Sequence, residues 1–279
     1  KLESKSERLR GELEGALVSV RAELDEITVR LQESETREAR ALERLAEGVN
    51  AQQALGELLA ADPLAAVRQV AVIDVNGVLS VHTGADCIPH AGHMTGAHWS
   101  CQANMMARDT VPQAMSAAFE QHADADLADR LMAALRAAEG EGGDVRGRQS
   151  AALVVVPPEG EAWQTRISLR VEDHENPIAE LKRVLGLQRA YELAGRGDEL
   201  MAADQPVEAG ALYRRAAELA PDSDELLFWS GLALAHSGDL EAGVDAVRRA
   251  IAVHEGWGTL LERLSPEFAP AGQQVRKAL

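Results

Sequence analysis

Apolar and polar positions alternate from Val70 to Asp74 and again from Val78 to Val81, and Asn76-Gly77 between them is a pair that accepts positive φ angles. The pattern predicts two antiparallel strands joined by a two-residue turn. Beyond them, Gly84, Gly92 and Gly96 punctuate a small-residue, histidine-rich stretch, ADCIPHAGHMTGAHWSCQANMM, which reads as loop and short strand beside a cleft. The period then becomes helical. Pro112 to His122 and Asp126 to Glu139 read as two helices covering one face of the sheet, with Met115, Phe119, Leu127, Leu131 and Leu135 on their buried sides. After Gly140, Gly142 and Gly143, the apolar run from Ser150 to Val156 suits a central strand, and Trp163 to Val171 alternates as the strand returning from the Pro157-Pro158 turn. Pro177 to Met201 is helical again, with the proline well placed in a first turn.

The two ends of the chain carry a different pattern. From Lys1 to about Gly48 there is no proline, and Leu13, Leu17, Val20, Leu24, Ile27 and Leu31 step by threes and fours, as in the seam of a coiled coil or of a helix laid on a core. Ser34 and Glu38 interrupt that seam early. Gly48 suits a helix stop, and Asn50 with Gln53 forms a capping pattern for a helix from Ala51 to about Ala60, ended by Asp62-Pro63. Toward the C-terminus, Ala209, Tyr213, Arg214, Arg215, Ala216 and Leu219 correspond to Gly243, Val247, Arg248, Arg249, Ala250 and Val253, each pair 34 residues apart. That is the period of tetratricopeptide helix pairs. The expected division is therefore a charged helical segment over 1–47, an α/β domain over 48–176 and a helical region over 177–279.

Composition narrows the picture. The 279 residues are 46% hydrophobic but only 3% aromatic, so the core must be built of Ala, Leu and Val. A net charge of −17 with a pI near 4.9 repels phosphate backbones, and no basic patch offsets it, so nucleic acid is not expected as a partner. No apolar run approaches a membrane span, and the first residues lack the pattern of a signal peptide. Two cysteines, Cys87 and Cys101, make no disulfide framework, and the expected compartment is a reducing cytoplasm.

The stretches HTGADCIPHAGHMTG, QANMM, GGDVRGRQSAALVVV and RVEDHENPIAELKRV, in this order, resemble the DUF1028 family, proteins of unknown function similar in fold to N-terminal-nucleophile hydrolases. The likeness runs from about Leu42 to the C-terminus and leaves residues 1–41 outside. It implies an α+β fold: a four-layer αββα sandwich followed by a helical C-terminal region. It also implies an amide-bond hydrolase in which a terminal Ser, Thr or Cys attacks a carbonyl and its own α-amine takes the proton. Lys1 is none of these, and an internal Ser19 or Thr28 has no free amine. The chain as written is therefore expected to be inactive by that route, the catalytic strand being either replaced or not part of it.

Three groups of side chains are candidates for chemistry. Gln102 and Asn104 could donate to an oxyanion, although Ala103 stands where the family carries glycine. Asp144, Arg146, Arg148, Gln149 and Ser150 precede a strand, where two guanidinium forks could hold a carboxylate; the competing reading is an ion-pair network with Glu172 or Asp173. His174, after Asp173, is as well suited to capping the next helix as to chemistry. Cys87, His90 and His93, with His98 and Cys101 nearby, have donors for zinc but lack the usual paired spacing, so the expectation is no metal and no cofactor. Asp109-Thr110 resembles a self-cleavage junction only over two residues, and no cleavage is expected there. The partners expected are a second copy of the chain, forming a homodimer, and a small amide or peptide ligand. The alternative to an enzyme is a binding or assembly protein, engaging protein or peptidoglycan through the helical region, although no exposed aromatic row supports sugar stacking and Trp229 and Trp257 read as packing residues.

Overall fold

The computed structural model describes residues 38–161 and 163–279. The apolar seam between Leu13 and Leu31 lies outside them. The protein is a mixed α/β chain, 54% helical, so helix packing rather than sheet supplies most of its core. Its described strands form three two-stranded antiparallel sheets. The chain divides into two compact units, one ending at Gly147 and one running from Arg148 to Leu279.

In the first unit, residues 38–46 are helical (α1), and Asn50 opens α2 (Ala51–Ala61) by accepting the Gln53 N–H at 2.9 Å. Strand β1 (Gln69–Ile73) pairs with β2 (Leu79–Thr83). Ala51, Leu55 and Val72 are buried together, with Leu45, Leu59 and Val70 packed against them, so the helices cover β1. The connection is not the two-residue turn expected. Asp74 N–H donates to the Val78 carbonyl at 3.0 Å and Gly77 N–H to the Asp74 carbonyl at 2.9 Å, which closes a three-residue loop, and the left-handed conformation falls on Gly77 alone (φ 73°). The reason is the Asp74 side chain. Its Oδ1 accepts the N–H groups of Asn76 and Val78, and its Oδ2 that of Ala51, tying the turn to the start of α2. Burial pushes this carboxyl up, but the Val78, Ala51 and Asn76 N–H groups outweigh it and hold it below its ordinary value.

A second hairpin follows, β3 (Gly92–Thr95) with β4 (Ser100–Ala103). Helix α3 (Val111–Gln121) packs on it, and α4 (Leu127–Gly140), capped by Asp126, packs on α3. Phe119 is buried, with Trp99 5.5 Å away between ring centroids and the Arg130 guanidinium 3.8 Å above its face. The expected face of α4 is corrected here: Leu127 is 44% exposed, Leu131 and Leu135 are half-buried, and Ala128, Met132 and Ala134 point inward. Wherever small and large apolar residues alternate along a helix, spacing alone leaves the buried side ambiguous by one position.

In the second unit, β5 (Ala151–Val155) pairs with β6 (Ile167–Val171). Leu153, Val155, Ile167 and Val171 are buried, whereas Val154 and Val156 stand 56% and 63% exposed, so this hairpin is covered on one face and not on two. The return strand is shorter than its alternation predicts. Gln164 accepts the Glu161 N–H at 2.9 Å in a turn that delays pairing, and Trp163 stays exposed. Helix α5 (Pro177–Ala202) backs the hairpin, with Pro177 in its first turn and Asn176 as its cap. Then come α6 (Pro206–Leu219), α7 (Asp224–His236), α8 (Leu240–Val253), α9 (Gly256–Arg263) and α10 (Gly272–Ala278). The repeat positions Ala209, Tyr213 and Ala216 on α6 are buried, as are Gly243, Val247 and Ala250 on α8. Phe228 anchors this core, stacked on Trp257 at 4.8 Å and edge-on to Trp229 at 5.0 Å, and Trp257 Nε1–H donates to Asp224 at 2.8 Å.

Helices α7 and α8 touch backbone to backbone. A Cβ on Gly243 would lie 2.5 Å from the Gly231 carbonyl oxygen, and one on Gly231 would lie 2.9 Å from the Gly243 carbonyl oxygen. Elsewhere in a helix, alanine would improve on glycine by about 1 kcal/mol. Here the added methyl meets backbone that cannot swing aside, and overpacking of this kind costs about 1–3 kcal/mol. Gly243→Ala is therefore expected to lower stability in urea denaturation, and a variant as stable as the parent would show that the two helices can separate freely.

Candidate functional site

The two hairpins of the first unit meet at their open ends. Gln69 and Thr83 face each other where β1–β2 ends, and Gly92 and Ala103 do so where β3–β4 ends. The Gln69 carboxamide joins them, its Nε2 donating to Gly92 O at 3.0 Å, Ala103 O at 3.1 Å and Thr83 Oγ1 at 3.1 Å. Two hydrogens serve three acceptors, so one is shared. The two carbonyls fix which end of the amide is nitrogen, because neither can donate.

Thr83 Oγ1 also lies 2.8 Å from His93 Nδ1. Thr83 Oγ1 accepts from the Gln69 amide and keeps a second lone pair and its own proton, so the direction of its contact with Nδ1 follows the imidazole tautomer: with the ring proton on Nε2, Thr83 donates to Nδ1. Thr83 is half-buried and His93 exposed. Across the β3–β4 ladder from His93 stands Gln102, whose Nε2 donates to Ser100 Oγ at 2.9 Å. Ala103, in place of the family's glycine, sits buried in regular strand. The left-handed residue is Met105 (φ 57°), whose N–H is accepted by Asn104 Oδ1 at 2.9 Å.

Beside this junction runs a cleft of about 820 Å³ between α1, α2 and β1. Its wall is mainly aliphatic, with Leu45, Leu55, Leu59 and Val70 among its residues, and Gln69 and Asn104 form part of its rim. Arg68 contributes a charge there, held by the buried Asp62 at 3.1 Å.

The arginine-rich constellation falls on both sides of the division between the two units. Asp144 and Arg146 belong to the first unit, where Val145 N–H donates to Met105 O and Ala107 N–H to Gly143 O, both at 2.9 Å, laying this segment against the one that follows Asn104. Arg146 grips Asp144 through Nε at 3.0 Å and Nη2 at 2.6 Å. Hydrogen bonding to Arg146 holds the Asp144 carboxyl below its ordinary value against the opposing effect of burial, and Asp144 raises Arg146 in turn. The fork expected to bind a ligand carboxylate thus holds the carboxylate two residues earlier. Glu172 is engaged by Arg170 at 2.8 Å. Arg148, Gln149, Asp173 and His174 belong to the second unit, where the Gln149 carbonyl accepts His174 N–H at 3.0 Å. His174 Nδ1 accepts the N–H of Asn176, the cap of α5, at 2.9 Å.

The cysteine–histidine stretch spreads out in the same way. Cys87 donates its thiol to Arg68 O at 3.4 Å, His98 Nδ1 lies 3.1 Å from Gly77 O, and His90 is an exposed residue with φ 71°. Burial, with Glu120 adding to it, pushes the Cys101 thiol up. Among the described residues no three His, Cys, Asp or Glu side chains gather as a metal would need. The residues that sequence reasoning passed over are Gln69 and Thr83. Their one signal is a polar side chain at each outer end of the hairpin, facing each other in its register.

If the Gln69 amide holds the junction, Gln69→Leu leaves the Gly92 and Ala103 carbonyls without their donor. Unmade hydrogen bonds at half-buried carbonyls cost about 1–2 kcal/mol, and hydrogen exchange at the open end of β3–β4 should accelerate. Unchanged stability and exchange would show that the hairpins hold together without it.

Residues 15–181 match the family model DUF1028, described as a family of unknown function. The crystal structure of protein SPO2555 from Silicibacter pomeroyi, also assigned to DUF1028, is similar at 31% identity and a TM-score of 0.46, over 53% of this chain and 64% of that one. The chain thus spans less than two thirds of that relative's length. No curated protein matches it. The family match reaches back to residue 15, taking in residues 15–41 that the motifs alone had left outside, and it ends at residue 181, so the helices beyond the start of α5 lie outside it. With well over half of its residues matched, and with the motifs around Thr83, His93 and Gln102 inside the match, this chain belongs to DUF1028, a family whose function is unknown.

Proposed function

We propose that this chain is an amide-bond hydrolase acting by acyl transfer, on a scaffold of the αββα kind that N-terminal-nucleophile hydrolases use, with the hairpin junction as its site. One observation carries the reading: an exposed imidazole, His93, stands directly across a ladder from a carboxamide, Gln102, at the junction whose Gln69 borders a cleft. Acyl transfer needs a proton acceptor and an amide donor within reach of one carbonyl carbon, and the cleft offers an acyl chain a place out of water. The scaffold is taken from the family resemblance, and the exposed, apolar Val154 of β5 marks a face that a further layer would cover.

The test is turnover of short N-acyl amides and of p-nitrophenyl butyrate by the whole chain. Removing a general base lowers such rates by about 10²–10⁴-fold, the loss expected of His93→Gln. Wild-type protein that turns over none of these substrates, or a His93→Gln variant as fast as the parent, would end the reading.

A second reading rests on the helical region. The equivalent positions of α6 and α8 are buried alike and 34 residues apart, as in tetratricopeptide-like helix pairs, and partial arrays of that kind gain stability by docking. Assembly as a homodimer through these helices predicts twice the chain mass in light scattering coupled to size exclusion. A monomer at every concentration would dismiss it.

A further inference from the structure

We propose that the nucleophile of this site is internal: Thr83 Oγ1 attacks the acyl carbon and His93 Nδ1 is its general base. The inference rests on the hydrolase reading and goes beyond it, since that reading leaves the attacking atom unnamed and the family resemblance would place it at a chain terminus. Nucleophile and base must lie within hydrogen-bond reach, and Thr83 Oγ1 and His93 Nδ1 are 2.8 Å apart.

The surroundings sort the donors from the acceptors. Gln69 Nε2 only donates, so it cannot take the Thr83 proton, and the tautomer with its ring proton on Nε2 presents His93 Nδ1 as the acceptor in reach. The same amide fixes Thr83 to the backbone of both hairpins, so the hydroxyl is held and not free to rotate toward solvent. Thr83 is the described hydroxyl of the first unit seen in hydrogen-bond contact with an imidazole; Thr110 Oγ1 donates to Glu141 at 2.5 Å and Ser100 Oγ accepts from Gln102. Ser116 is buried. Thr83 is half-buried and its base exposed, which lets a substrate approach while the base stays in place.

The steps balance without another reagent. Thr83 Oγ1 bonds to the carbonyl carbon as its proton passes to His93 Nδ1, and Gln102, with a second N–H beyond the one given to Ser100, is the nearest amide donor on the ladder for the oxyanion. The bond to the leaving amine or alcohol breaks as Nδ1 returns that proton to it, leaving an ester on Thr83. Water then gives a proton to Nδ1 and its oxygen attacks the same carbon; the bond to Oγ1 breaks and Oγ1 regains the proton. Gln69, which donates to Thr83, also borders the cleft, whose lining joins Leu45, Leu55, Leu59 and Val70 with Glu38, Asp62 and Arg68, so the acyl groups favoured are short and uncharged. A net charge of −17 disfavours anionic ones at long range.

The experiment exposes the full chain to p-nitrophenyl butyrate, quenches it early and maps the butyryl group by peptide mass analysis. The adduct is expected on Thr83, retained in Thr83→Ser and lost in Thr83→Val. In His93→Gln, acylation should slow by about 10²–10⁴-fold. Circular dichroism reports whether each variant folds; should Thr83→Val fail to, the location of the adduct on wild-type protein decides by itself. An adduct on His93 or any other residue, or turnover undiminished in folded Thr83→Val, overturns the assignment while leaving the hydrolase reading intact. No turnover by wild-type protein overturns both.

Discussion

One carboxamide nitrogen joins the two hairpins of the first unit. A two-stranded sheet alone is marginally stable in water, because half of its backbone donors and acceptors face outward and one layer of side chains has nothing to pack against. Here β1–β2 leans on α1 and α2, and β3–β4 leans on α3. Neither helix layer fixes the angle or distance between the hairpins; the Gln69 side chain does, by donating from the end of one ladder to two carbonyls at the end of the other. The ends of ladders are where backbone groups run out of partners, so a side chain that supplies them there contributes the net value of hydrogen bonds exchanged with water, about 0.5–1.5 kcal/mol each. The Thr83–His93 contact is a consequence, since it bridges β2 and β3 across the same joint.

The second unit is held by a different constraint. With aromatic residues only 3% of the chain, its helices bury alanines and glycines, and small residues stabilise a contact only when backbones come close. Gly231 and Gly243 meet on those terms. Phe228, with Trp257 and Trp229 around it, supplies the bulk the alanines lack. Ser230 next to it carries a cost: its hydroxyl is buried with no hydrogen-bond partner among the described residues, which is worth about 1–3 kcal/mol of lost solvation. The close α7–α8 contact has to outweigh that.

Much of the helical framework was legible because its signals are local. Asn50 accepts the Gln53 N–H as its capping pattern predicts, and Pro177 occupies a first turn, whereas Asp126, read as the first helical residue, and Asn176, beside the candidate His174, prove to be caps. The misreadings come from interactions that spacing does not encode. The Asp74 carboxylate turns a two-residue loop into three by accepting two N–H groups of the loop itself. Gln164 shortens a strand whose alternation begins at Trp163. Arg146, expected to await a ligand, is paired with a carboxylate two residues earlier. At the site, Gln69 meets residues 14, 23 and 34 positions away. No periodicity connects residues at such separations, and only the folded ladders bring them together.

The same joint explains why chemistry is placed there and not at the arginines. A reactive pair must be held, so that little entropy is lost in reaching the geometry of reaction, and it must be reachable. Arg146 and Asp144 are held but satisfied by each other, and each shifts the other further into its charged form. His90 is reachable but exposed on a turn, with nothing to aim it. Thr83 and His93 meet both conditions because they sit at the last and next-to-last rungs of their ladders: the strands fix their backbones, the Gln69 amide donates to the hydroxyl oxygen, and the imidazole is exposed to solvent. Moving either residue one position along its strand would turn its side chain to the opposite face of the sheet, so the pair depends on register. Register here is set at one end by Asp74 in its turn and at the other by Gln69 across the joint.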